Sequence, residues 1–217
     1  MSKTIEPQYE ELFEYPETKM GIMANQVWQD DPKRLVFVLS RYKFVAKMLA
    51  GKKKVLEVGC ADAFGSQVVA KEVQSLIVTD FDPVFVDQVQ SNARYDWQKN
   101  AKVHDIVAGA TLEKYDAAFC LDVFEHIEPQ HESSVLNNLK QSTHDDGIAI
   151  IGIPSLESQA YASPQSKAGH VNCQSGTQFK SLLEQHFKHV FLFSMNDEVV
   201  HTGFYPMAHY LLAVCVK

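Results

Sequence analysis

Short apolar runs that close on a small or acidic residue alternate with stretches of helical spacing along most of this chain, and that alternation leaves few folds open. The first run is Lys54-Val55-Leu56-Glu57-Val58-Gly59. Further runs lie at 75–79, closed by Asp80, at about 101–106, at 116–121, and at 147–153, closed by Pro154. Residues 66–73, 83–92 and 132–142 between them suit helices. Strands alternating with helices imply an α/β fold, a mostly parallel sheet with helices on both faces. A helix at 177–186 and strands at 190–194 and 207–216 follow. The segment 195–206 joins the last two strands without a helical pattern, so they are expected to pair antiparallel, giving seven strands in all.

The N-terminal part reads differently. Residues 1–30 carry scattered aromatics and two prolines with no steady period, as an irregular arm with one or two short helices would. Asp31-Pro32 has the form of a helix start, an acidic cap with proline just inside. Leu35, Val38, Leu39, Tyr42, Val45, Ala46 and Leu49 then recur at helical spacing, and Gly51 stops the helix. The division is therefore an arm and lid helix over 1–50 and a core over 51–217, within one domain. A length of 217 residues fits that size.

Charge and cysteine usage remove several classes of function. The formal net charge of -7 opposes binding to a phosphate backbone, so no nucleic-acid partner is expected. Cys60, Cys120, Cys173 and Cys215 form no C-x-x-C pair, which points to reduced thiols rather than a disulfide framework or zinc site. No apolar run approaches the length of a membrane span, and residues 1–14 lack a signal-peptide pattern. The expectation is a cytoplasmic protein with no membrane partner; a homodimer is left open.

Open α/β sheets bind ligands beyond the carboxyl ends of their strands. The first strand is followed by Gly59-Cys60-Ala61-Asp62-Ala63-Phe64-Gly65, whose small residues let backbone approach a ligand. Asp80, 21 residues after Gly59, ends the second strand and can accept both hydroxyls of a ribose. Asp105 and Ile106 follow the third strand, placed to bond an adenine amino group and cover its ring. Asp122-Val123-Phe124-Glu125-His126 follows the fourth. Each feature alone is common; four consecutive strand ends that together suit a nucleoside are far more specific.

These residues resemble the class I S-adenosylmethionine (SAM)-dependent methyltransferases. Val55-Leu56-Glu57-Val58-Gly59-Cys60 is similar to that family's first motif, 76–83 to its second-strand motif with Asp80 in the ribose place, and 115–127 to its fourth-strand motif. The likeness runs over about 52–217, and the arm before it resembles the family's variable substrate lid. It implies a Rossmann-like fold with the last strand antiparallel, SAM as cofactor and S-adenosylhomocysteine as product. It also implies a cofactor site built from Glu57, Gly59, Cys60, Ala61, Asp80, Phe81, Asp105, Ile106, Asp122 and Val123. Arg41 of the lid helix is a candidate partner for the SAM carboxylate. The first loop departs from the family's Gly-x-Gly-x-Gly, having Ala61 and Ala63. Because alanine disfavours positive φ, ordinary backbone angles or a small shift are expected there. A carboxylate at Glu57 suits a cationic ligand and repels a pyrophosphate, which favours SAM over a nicotinamide dinucleotide.

On the acceptor side, His126 and His170 are the candidate catalytic residues, since an alcohol nucleophile needs a base near neutral pH. His170 sits in a polar stretch with Ser155, Ser158, Tyr161, Ser163, Ser166 and Asn172. That setting suits a small polar acceptor, a hydroxyl on a sugar-like or secondary metabolite. The alternatives are a quinone or lipid precursor, for which the arm supplies little apolar surface, and a SAM-binding regulator without catalysis. Asp122, Asp145 and Asp146 form no metal-binding set, and no metal is expected.

Overall fold

The computed structural model describes residues 6–217. The sequence reading of residues 1–5, as the start of the arm and as lacking a signal-peptide pattern, lies outside them. A fully exposed 3-10 helix, Pro7–Glu14, opens the arm. Helix α1 (Ile22–Asp30) and helix α2 (Pro32–Met48) follow. Asp31 caps α2 as expected, its carboxylate accepting the Lys33 N–H at 3.1 Å.

The remainder forms one sheet. Its strands are β1 (Val55–Val58), β2 (Leu76–Asp80), β3 (Lys102–Val103), β4 (Tyr115–Leu121), β5 (Thr143–Pro154), β6 (His189–Asn196), β7 (Val199–His201) and β8 (Tyr210–Val216). The helices are α3 (Ser66–Ala70), α4 (Pro83–Ser91), α5 (Asp96–Lys99), α6 (Glu132–Gln141), α7 (Pro164–Gly169) and α8 (Gly176–Leu183). Strand order is β3-β2-β1-β4-β5-β8-β6-β7. The chain starts at β1, runs outward to β3, then returns to lay β4 on the other side of β1. The reversal opens a crevice at the carboxyl ends of β1 and β4.

The apolar runs are continuous because both faces of the sheet are covered. Leu56 and Val58 of β1, Ala118 and Cys120 of β4, and Ile151 and Ile153 of β5 pack on one face, against Leu136 and Leu139 of α6 and Phe179 and Leu183 of α8. Val55, Ala117, Phe119, Leu121 and Ile150 pack on the other, against Tyr42, Val45, Ala46 and Leu49 at the C-terminal end of α2. The two-residue period of a strand assigns alternate side chains to the two cores.

The expected seven strands are present, and β8 runs antiparallel to both β5 and β6. An eighth strand corrects the count: within the supposed connection 195–206, β7 folds back on β6, pairing Asn196 with Val199. The two-residue turn between them needs a positive φ, which Asp197 supplies at 46° where glycine is the usual signal. Strand β3 keeps only two residues of the expected 101–106. The Asp105 carboxylate accepts the Val107 N–H at 2.8 Å and turns the chain out of the sheet. Helix α3 stops at Ala70, short of the expected Val73. All four cysteines are free, as expected. Among the described residues no helix is long and apolar enough to cross a membrane.

Candidate active site

The loop after β1 is the base of the site, and its backbone corrects the sequence reading. Gly59 has φ 74°, Ala61 45° and Ala63 54°. The alanines adopt the left-handed angles that glycine would take freely, at a cost of roughly 1–2 kcal/mol each. Hydrogen bonds from three directions hold them there. The Ala61 N–H donates to Asp80 Oδ2 at 2.9 Å, and the Ala63 N–H to the Cys60 carbonyl at 2.8 Å. Asp62, between them, accepts the Phe64 N–H at 3.1 Å and, from the start of α1, the Ala24 N–H at 2.7 Å. Gly59 has a second reason to be glycine: a Cβ there would lie 2.3 Å from Val123 Cγ2.

Helix α2 lies over this loop. A Cβ on Gly65 would meet the Tyr42 ring at 2.3 Å, so that ring presses directly on the loop backbone. The Tyr42 hydroxyl donates to Glu57 Oε1 at 3.1 Å. Glu57 is only 1% exposed, and its Oε2 has no hydrogen-bond partner among the described residues. Burial pushes the Glu57 carboxyl up to about 7, against the lowering effect of the Ser66 and Tyr42 hydroxyls.

One residue earlier on α2, Arg41 forms an ion pair with Asp122 just after β4. The guanidinium lies between the Phe37 and Tyr210 rings, 4.3 and 3.9 Å from their centroids. Burial alone would lower the Arg41 pKa; the charge and hydrogen bond of Asp122, with Tyr210 and Glu125, together outweigh it and the net shift is upward. Asp122 has φ 56°, and its N–H is shared between the Gly152 carbonyl at 3.2 Å and the Tyr210 hydroxyl at 3.1 Å.

After Asp122 a 3-10 turn, Phe124–His126, places Glu125 and His126. Glu125 is 1% exposed, and burial, with Asp122 nearby, drives its carboxyl well above the usual range. His126 Nδ1 is 2.8 Å from the Gly169 carbonyl, and His170 Nδ1 is 2.9 Å from Gln159 Oε1. The two imidazoles meet edge to face with centroids 5.1 Å apart. Burial and the neighbouring His126 hold His170 below the ordinary histidine value.

These groups surround one cavity of about 670 Å³. Of the residues expected from sequence, Gly59, Cys60, Ala61, Asp122, Arg41, His126 and His170 line it. Glu57 lies beneath the loop, and Val123 packs under Gly59. Asp80 also acts from behind, its Oδ1 accepting the Asp82 N–H at 3.0 Å while Oδ2 holds Ala61. Phe81, 72% exposed, lies beyond the cavity at the end of β2, with Asp105 just after β3, while Ile106 is buried in the core. Arg41, expected as a partner for the cofactor carboxylate, pairs with Asp122. Tyr42, which the sequence placed within reach of the site along with Arg41, lines the cavity; sequence reasoning missed Asp62, Gln159 and Tyr210 and gave Glu125 no role of its own. Glu125 alone had a visible signal, its place beside His126.

The donor set fits SAM. The cofactor's ammonium and sulfonium call for carboxyl oxygens nearby; Asp122 and Glu125 line the cavity and Glu57 lies beneath its loop. Its thioether chain calls for close backbone approach, which the strained loop allows. Its adenine calls for an apolar face, and Phe81 exposes one at the second strand end.

Comparison with known proteins gives the same picture. Residues 56–149 match the family described as "Methyltransferase domain". The bifunctional O-antigen chain terminator methyltransferase/kinase WbdD of Escherichia coli is 24% identical over 64% of this chain and 21% of its own length. The mitochondrial ubiquinone biosynthesis O-methyltransferase of Schizosaccharomyces pombe is 29% identical over 46% of this chain and 37% of its own. This chain thus spans about a fifth to two fifths of the length of these relatives. Among solved structures, the N-methyltransferase NodS of Bradyrhizobium japonicum WM9 superposes with a TM-score of 0.62 at 16% identity, covering 88% of this chain and 90% of that one. Over residues 56–149 the chain is thus similar to a methyltransferase domain, and its fold is that of the solved methyltransferase structures.

Proposed function

We propose that this protein transfers the methyl group of SAM to a hydroxyl of a small acceptor bound in the cavity beside His126 and His170. One observation carries the reading. The strained loop at the end of β1 and the histidine pair after β4 and β5 face one cavity, a donor site and an acceptor site joined. SAM supplies an electrophilic methyl on a sulfonium centre. The chain aligns the acceptor with it, excludes water and receives or polarises the hydroxyl proton. Asp80 and Phe81 take the ribose and adenine, with Asp105 beyond them. Gly59, Cys60 and Ala61 pass under the methionine part. The Nδ1 hydrogen bonds of both histidines leave Nε2 as the group offered to the acceptor.

A specific observation also favours an acceptor with an apolar portion. Met23 and Val27 of α1, with Leu35, Val38 and Leu39 of α2, line the cavity. The arm thus supplies more apolar surface than its sequence led us to expect. This supports the quinone-precursor reading alongside the sugar-like one, with Ser158, Gln159 and Ser166 on the polar wall.

The test has two stages. SAM and S-adenosylhomocysteine are titrated calorimetrically, with NAD as the control; tighter binding of NAD would overturn the reading. Methyl transfer is then followed with isotope-labelled SAM against a panel of sugar hydroxyls and prenylated phenols. SAM binding without turnover on any acceptor would favour a regulator. His170→Ala is expected to retain SAM affinity and lose turnover.

A further inference from the structure

The same 3-10 turn and the loop after β5 bring together a set of ligands that the sequence kept 44 residues apart, at Glu125-His126 and at His170. One oxygen of Glu125, one ring nitrogen of His126 and one of His170 lie within 4.8 Å of one another. Three atoms no further apart than this surround a centre within about 2.8 Å of each. Closing to metal–ligand distances of about 2.0–2.2 Å takes side-chain movements below about 1 Å.

Two further features belong to a metal site. The Gly169 carbonyl only accepts, so His126 carries its proton on Nδ1 and presents a lone pair at Nε2. Gln159 is oriented by its Nε2 donating to the Ser155 carbonyl at 3.4 Å, so its Oε1 accepts from His170 Nδ1 and again leaves Nε2 free. Backbone or side-chain acceptors that fix the distal ring nitrogen are what metal-ligating histidines use. Glu125, nine-tenths or more buried, has an Oε2 with no hydrogen-bond partner among the described residues. Arg41 forms its ion pair with Asp122 rather than with Glu125. The cavity wall therefore holds two imidazole lone pairs and a buried carboxylate that feels the Arg41 charge but makes no ion pair among the described residues.

We propose that Glu125, His126 and His170 bind one divalent cation of the Mn²⁺, Co²⁺ or Zn²⁺ kind, whose open positions face the cavity and take an oxygen of the acceptor. Mixed imidazole and carboxylate ligands suit these ions better than Mg²⁺ or Ca²⁺. Two histidines and one carboxylate leave positions for water or substrate. A hydroxyl coordinated there is more acidic and held in place, so the two Nε2 atoms act on the acceptor through the cation they hold. The acceptor half of this statement rests on the methyltransferase reading; the cation site does not.

The experiment titrates chelator-treated full-length protein with Mn²⁺, following the loss of the free-ion electron paramagnetic resonance signal. Zn²⁺ is titrated in parallel by calorimetry. One ion per chain is expected, with Kd below about 100 μM. His126→Ala, His170→Ala and Glu125→Gln should each weaken it at least about tenfold, while His144→Ala, on the exposed part of β5, should not. S-adenosylhomocysteine affinity and melting temperature report that each variant is folded; His126→Gln and His170→Gln replace any that is not. No Mn²⁺ or Zn²⁺ bound below about 1 mM by protein that binds S-adenosylhomocysteine would overturn the site. So would binding that survives all three substitutions. Normal cation binding with turnover insensitive to chelator would overturn the acceptor half. Cation binding with no affinity for S-adenosylhomocysteine would count against the methyltransferase reading and leave the site standing.

Discussion

Arg41 of α2 and Asp122 just after β4 pair across the mouth of the sheet, with the guanidinium held between the Phe37 and Tyr210 rings. This contact ties the N-terminal helix to the strand end that carries Glu125 and His126. A buried arginine stripped of its partner is costly, whereas replacing both members is not. Asp122→Ala should therefore destabilise the fold by about 2 kcal/mol. That is below the 3–5 kcal/mol typical of fully buried pairs, because the Asp122 side chain is 40% exposed. Arg41→Met combined with Asp122→Asn should recover most of it. Chemical denaturation of the three variants checks this; equal losses in the single and double variants would contradict it.

Glu57 predicts a pH dependence of stability. Its carboxyl titrates near 4.5 in the unfolded chain and at about 7 when buried. Between those values folding takes up a proton, so stability falls as pH rises through this window and levels off above it. The size is on the order of 3 kcal/mol. Glu57→Gln should flatten the slope between about pH 5 and pH 7 in melting experiments. An unchanged slope would place the titration elsewhere.

The loop backbone gives opposite expectations for two neighbouring positions. Ala61→Gly relieves a left-handed alanine and should stabilise by about 0.5–1 kcal/mol, the relief exceeding the entropy cost of glycine. Gly59→Ala adds a methyl at φ 74° and 2.3 Å from Val123, and should cost at least about 2 kcal/mol and abolish S-adenosylhomocysteine binding. Melting temperature and calorimetry read both effects.

Asp80 braces the loop through Ala61 and, in the proposed function, takes the ribose of SAM. Asp80→Ala should weaken SAM binding by about 1–3 kcal/mol in calorimetric titration, and Asp80→Asn by less, since the amide oxygen still accepts. Unchanged affinity in folded Asp80→Ala would remove the ribose assignment.

Most of the scaffold was legible because its signals are local. Buried strands need continuous apolar runs, and Pro32, Pro83 and Gly51 punctuate helices by their own backbone limits. The placement of Asp80, Asp105 and Asp122 at strand ends follows from those runs. Strand β7 escaped because Asp197, not glycine, makes its turn. The angles at Ala61 and Ala63 escaped because intrinsic preference opposes them, and only the bonds from Asp80, Cys60 and Asp62 hold them in place.

Composition and pattern by themselves determined a mostly parallel α/β sheet and the acidic strand ends that suit SAM. Those follow from periodicity and from the chirality of strand–helix–strand connections, which any chain must obey. Only the tertiary structure decided which side chains meet. It gave Arg41 to Asp122, set Glu57 beneath the loop, and brought Glu125 and His126 against His170. Such encounters depend on how helices and long loops pack over the sheet, and the partners lie too far apart in the chain for any local pattern to record them.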